Sequence, residues 1–185
     1  GEIVDNCQKR PQRLFEEREL SVDECAGYLQ KAISLLKSQT AASDGSEGTL
    51  KVIITVSPIR YAKYGYHGSQ LSKATLLLAA DKLVKENPGV VSYFPAYEIM
   101  NDELRDYRFY KEDMLHPSEQ AVEYIWERFR ATYFGKAAEL FLEDWRPIRE
   151  ALGHKPFHPE SEEHQKFIAR TEEKKRQFEE KYHLL

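Results

Sequence analysis

Two residues in the stretch EDMLHPSEQAVEYIWERF (Glu112 to Phe129) have the types and spacing for acid–base chemistry. Asp113 stands three positions before His116, and Pro117 and a helix start follow. In a loop, such a carboxylate can accept a hydrogen bond from one imidazole nitrogen. That fixes the tautomer and leaves the other nitrogen free as a base, as in the acid-and-base half of a hydrolase triad. The same spacing also fits a helix cap beside a surface histidine. Position favours the chemical reading: the pair falls after the last strand-like segment and before a long helix. Ligand sites of open α/β sheets lie beyond the carboxyl ends of the strands.

Other clusters compete for a role. Thr55–Arg60 (TVSPIR) ends a strand-like run and carries Ser57 and Arg60 to the same rim. Arg60 suits an anionic or oxygen-rich substrate. Ser72 and Lys73 suggest a nucleophile and base, but adjacent residues on a helix point apart; both read as helix-surface residues. Tyr93–Tyr110 is dense in Tyr, Arg and carboxylates, and either packs as a salt-bridged loop or lines a site. Glu98, Arg105, Asp106 and Arg108 are expected to pair among themselves. His154, His158 and His164 have no carboxylate or cysteine pattern around them to support zinc, so no metal site is expected. No cofactor is expected either.

These residues need elements to position them. Ser21 and Glu24 have capping-box spacing and open a helix whose apolar stripe runs through Cys25, Leu29, Ala32 and Leu36. Lys51–Val56 (KVIITV) is β-branched and unalternating, the pattern of a strand buried on both faces. Gln70–Glu86 reads as a second helix, Asn87–Gly89 as a turn and Val90–Phe94 as a second buried strand. Strand, helix, strand implies a βαβ crossover in a parallel sheet, with helices on both faces. Ser118 is the expected N-cap of a third helix with the stripe Val122, Ile125, Trp126, Phe129 and Tyr133. Glu2–Val4 fits a short strand or the end of a hairpin, and Ala41–Gly48 a flexible loop. Beyond Gly135, Lys136–Leu152 and Pro159–Tyr182 read as charged helices with sparse apolar anchors.

Composition narrows the function classes. With 27 Lys and Arg interleaved among 31 Asp and Glu, nothing marks a nucleic-acid partner. The longest apolar run, Leu76–Ala80, is far short of a membrane span, so no membrane partner is expected. Two cysteines, Cys7 and Cys25, do not make a disulfide framework in 185 residues, and reduced thiols fit a cytoplasmic location.

Several segments together resemble the GSCFA domain family: NCQK at Asn6–Lys9, LSVDE at Leu20–Glu24, TVSPIR at Thr55–Arg60, LSKATLLLA at Leu71–Ala79, YFPAYEI at Tyr93–Ile99, and Asp102–Phe129. The resemblance covers about residues 1–133 and looks like the C-terminal part of that domain. The family resembles SGNH/GDSL-type serine hydrolases. It implies a three-layer αβα fold with a parallel sheet, a serine nucleophile near the first strand, and Asp113 and His116 as the other triad members. The sequence departs from the family pattern at three points. It contains no G-S-C-F-A segment, and Gln8 and Tyr61 stand where the family usually has histidine.

The expectations are therefore an SGNH-like domain over residues 1–134, with its N-terminal part missing, and a helical extension over 135–185. Function is that of a serine hydrolase-like protein acting on, or transferring acyl groups from, a small-molecule or glycan ester. Catalytic His116 and Asp113 would act with substrate-binding Arg60 and Ser57. With the nucleophile upstream, this chain alone is expected to be inactive. The alternative is a non-catalytic α/β binding module with a helical interaction arm. An exposed sheet edge, or the terminal helices, could support self-association.

Overall fold

The computed structural model describes residues 10–40, 50–156 and 160–184. The expected strand at Glu2–Val4 and loop at Ala41–Gly48, together with Cys7, Gln8 and His158, lie outside them. The chain is mostly helical and divides into two compact units, Gly1–Ile125 and Trp126–Leu185.

The first unit is built on a parallel pair of strands, β1 (Val52–Thr55) and β2 (Val91–Phe94), in register from Val52↔Val91 to Thr55↔Phe94. Helix α1 (Val22–Thr40) precedes β1, and α2 (Gly65–Glu86) links the two strands. The capping box forms as its spacing requires. Ser21 Oγ accepts from Glu24 N at 3.2 Å, and Glu24 Oε2 accepts from Ser21 N at 2.9 Å. Two of the helix end's orphan donors are thereby satisfied. The core joins Ala26 and Ile33 of α1, Ala79 and Leu83 of α2, and Val91 of β2, with Val52 and Ile54 packed against it. Leu83 is wholly buried.

β1 differs from its expected burial on both faces. Val52 and Ile54 face the core, while Ile53 is 40% exposed and Thr55 is exposed. A β-branched run reports strand propensity, not what covers each face. Among the described residues the sheet has two strands; α1 and α2 contribute to one core on the Val52, Ile54 and Val91 side.

The α2–β2 turn forms at Asn87–Gly89. Asn87 is buried, donates from Nδ2 to Leu83 O and to Gln30 Oε1, and accepts at its own carbonyl from Val90 and Val91. Gly89 adopts φ +74, which a side chain would strain.

Past β2, α3 (Ala96–Glu98) runs into a π-helical turn, Ile99–Leu104, that stops at Arg105 in the left-handed region, φ 56. A 3₁₀ turn, Tyr107–Phe109, then leads through a loop to α4 (Glu119–Tyr133). Ser118 caps α4, its Oγ accepting from Ala121 N at 3.2 Å. A second core of Met100, Tyr110 and Ala121, flanked by Leu104, Phe109 and Ile125, fixes this region. Val122, expected in the apolar stripe of α4, is instead exposed.

The second unit takes in the end of α4 and adds α5 (Lys136–Gly153) and α6 (Glu162–Lys181). Phe141, Trp145, Phe178 and Tyr182 form an aromatic cluster between α5 and the C-terminal end of α6, with centroids 4.7 to 5.1 Å apart. Ile148, Thr171 and Phe178 are buried.

Candidate active site

The loop Lys111–Pro117 is closed on itself before any side chain acts. Lys111 N donates to His116 O at 2.8 Å, Met114 N to Lys111 O at 2.9 Å, and Ser118 N to Phe109 O at 2.7 Å. Tyr110 and Pro117 face each other as an antiparallel bridge. Met114 sits at φ 61, a left-handed conformation that costs a non-glycine residue about 1 kcal/mol. Non-glycine residues held there concentrate at functional loops.

Within this loop Asp113 uses both carboxylate oxygens. Oδ1 accepts from the backbone N–H groups of Leu115 (2.9 Å) and His116 (3.0 Å). Oδ2 lies 2.6 Å from His116 Nδ1. The backbone bonds from His116 and Leu115, and then the imidazole, hold the Asp113 carboxyl down at about 2. It is therefore an anion at neutral pH and can only accept. The proton between the two groups belongs to Nδ1, and in the neutral ring Nε2 then keeps its lone pair. The His116 side chain is about half exposed.

Arg60 joins this loop from the segment that leaves the carboxyl end of β1. Its backbone N donates to Leu115 O at 3.0 Å, and its Nη1 reaches Met114 O at 3.4 Å. The guanidinium lies 3.9 Å from the Tyr110 ring centroid and 5.5 Å from that of Tyr107. An open cleft of about 160 Å³ is bounded by Arg60, Asn101, Arg105, Asp106, Tyr107 and Tyr110. The structure thus brings Asp113, His116 and Arg60 together. Ser57 is exposed on the same β1-exit segment, and its Oγ accepts from Ile59 N at 3.3 Å.

Lys73 stands elsewhere than its sequence suggested. It is 8% exposed, not a helix-surface residue, and its Nζ donates to Ser57 O at 2.6 Å. Burial pushes its pKa down. On the same helix, Ser69 Oγ accepts from Tyr61 N at 3.1 Å. Lys73 and Ser69 together clamp both ends of the segment that carries Arg60. The signal was present in the helical period: Lys73 lies one turn beyond buried Ser69 and two turns before buried Ala80.

The charge pairing in Tyr93–Tyr110 is only partly the one expected. Asp106 accepts three bonds from Arg108, from N (2.9 Å), Nε (3.1 Å) and Nη2 (3.3 Å), which lower its pKa. Glu98 instead takes the Tyr93 hydroxyl at 2.8 Å. His154 and His164 each lie beside the Phe167 ring. No three His, Cys, Asp or Glu among the described residues are grouped to hold a metal ion.

The first unit is thus an α/β domain with a parallel strand pair and an Asp–His pair on the loop before its last helix. The model of the GSCFA family matches residues 1–129, and that of the GSCFA domain protein, C-terminal domain matches residues 145–185. The chain belongs to the GSCFA family. No curated protein and no solved structure matches it. Among the described residues no helix is long and apolar enough to cross a membrane.

Proposed function

We propose that this chain carries the acid–base part of an SGNH-like serine hydrolase or acyltransferase acting on an ester. The observation behind this reading is the 2.6 Å Asp113–His116 pair, with its imidazole half exposed and its carboxylate immobilised by two backbone N–H groups. In the proposed reaction, His116 Nε2 accepts the proton of a serine hydroxyl as the serine oxygen attacks the ester carbonyl. The imidazolium then returns that proton to the departing alcohol. Asp113 orients the ring and stabilises its cationic form. Arg60, and with it Ser57, lines the substrate side. In this reading the sheet belongs to a three-layer αβα domain over residues 1–134, with 135–185 a helical appendage in the same reducing, cytoplasmic setting. The nucleophile in this reading is a serine of a GSCFA segment, a motif that these 185 residues do not contain.

Hydrolysis of short-chain p-nitrophenyl esters tests this reading in two arms. In the protein with its GSCFA segment in place, His116→Ala should lower kcat by about 10³-fold or more, because triad members act as a unit. Asp113→Asn should lower it by about 10² to 10⁴-fold. Unchanged turnover in His116→Ala would refute the assignment. The 185 residues alone should show no turnover; turnover lost on His116→Ala would place the nucleophile within them.

A further inference from the structure

The cleft beside the Asp–His loop holds more positive charge than its own fold uses. Two of its walls are guanidinium groups, Arg60 and Arg105. Next to Arg105 in sequence, Asp106 is committed to Arg108 and Glu103 accepts from the Tyr124 hydroxyl; Asp113, on the loop that Arg60 meets, is committed to His116. Among the described residues neither Arg60 nor Arg105 forms an ion pair.

Arg60 is also ordered in advance. Its guanidinium stacks over Tyr110 at 3.9 Å, and its Nη1 is anchored on Met114 O. Stacking uses the face of the guanidinium and leaves its N–H edge for hydrogen bonds. A group already fixed loses little entropy when a ligand arrives. Arg105 is placed by the end of the π-helical turn in a strained conformation, φ 56, where glycine would be the easier residue. Tyr110 supplies a separate observation. It lines the same cleft with its ring beneath the Arg60 guanidinium, while its hydroxyl is sealed from solvent. Finally, Tyr107 lines the cleft with 64% of its surface exposed, and Tyr61, next to Arg60, is 52% exposed.

From these features we infer that the cleft is the subsite for an oxyanion group, carboxylate or phosphate, carried on a hydroxylated ring such as a sugar. Arg60 and Arg105 bind the anionic oxygens, and Tyr107 covers the ring. Planar, charge-assisted contacts of this kind suit arginine better than lysine. The inference adds a substrate class to the ester-hydrolase reading and rests on it for the word substrate. Its test is binding alone, so the two can fail separately.

The test is a titration of the protein with D-glucuronate, glucose 6-phosphate, inorganic phosphate and neutral glucose, followed by NMR shifts of the Arg60, Arg105 and Tyr110 resonances. Saturable shifts are expected with glucuronate or glucose 6-phosphate, and none with glucose. Whichever binds more tightly names the anion. A response to inorganic phosphate equal to that of glucose 6-phosphate would remove the ring from the proposal. Arg105→Gly should keep the fold, because glycine accepts φ 56, and should weaken binding roughly tenfold or more. Arg60→Lys should do the same. Equal shifts with glucose, no saturable anion binding, or wild-type affinity in Arg105→Gly would each overturn the inference.

Discussion

The two compact units of the chain use charged residues in opposite ways. In Trp126–Leu185 the organising contacts are aromatic, Phe141, Trp145, Phe178 and Tyr182. Many of its ion pairs, such as Arg176–Glu173, lie on exposed surface. In Gly1–Ile125 the charged side chains around the candidate site hold backbone: Asp113 takes two N–H groups, Lys73 a carbonyl and Arg60 another. The contrast shows where charge is structural. An exposed pair in high dielectric contributes about 0–1 kcal/mol, whereas the part-buried Ser57 carbonyl, left without Lys73, would cost about 1–3 kcal/mol.

The largest effect should come from the aromatic unit. Phe178→Ala removes a buried ring from the α5–α6 cluster and should cost about 3 kcal/mol or more in urea unfolding. A loss below about 1 kcal/mol would show that the cluster does not hold the helices together. Next is Lys73→Met, which keeps most of the volume but leaves Ser57 O without its donor. It should cost about 1–2 kcal/mol and speed hydrogen exchange at the Arg60 amide, whose bond to Leu115 O depends on that clamp. Unchanged exchange would separate Lys73 from the site. The strained loop gives a smaller effect of opposite sign: Met114→Gly should be neutral or stabilising by up to about 1 kcal/mol, and Met114→Val should destabilise. The smallest effect belongs to Glu173→Ala, within about 0.5 kcal/mol in the same assay.

The candidate loop also has a pH signature. The Asp113 carboxyl is held at about 2, against an ordinary value of 3.8. A depressed carboxyl stabilises the folded loop fully above its unfolded value, and that stabilisation is lost as pH falls through the folded one. The loop should therefore stay intact at pH 4 and above and loosen between roughly pH 4 and 2. The Asp113 carboxyl carbon, followed by NMR, should titrate near 2; a midpoint near 4 would mean that the bonds from Leu115 and His116 do not form in solution.

Much of this was legible locally. Ser21 with Glu24, Ser118 ahead of α4, and the β-branched runs announced their elements, because caps and propensities act over a few residues. D-x-x-H announced the Asp113–His116 pair for the same reason. The rest depends on what folds against what. Ile53 looked buried, but a strand sequence does not say which face is covered. Lys73 looked superficial because a lysine usually is, and only the face shared with Ser69 and Ala80 reveals otherwise. The left-handed residues Arg105 and Met114 carry no residue-type signal, since glycine would be the usual choice for such geometry. The cleft between Arg60 and Arg105 joins segments far apart in sequence.

The account rests on the direction of one proton. Nitrogen-15 NMR of the His116 ring, at a pH where the ring is neutral, reports which nitrogen carries it. The expected result is Nδ1–H, with Nε2 unprotonated, and a shift toward the other tautomer in Asp113→Asn. A ring protonated mainly on Nε2 in the wild-type protein would contradict the assignment of His116 as a base oriented by Asp113.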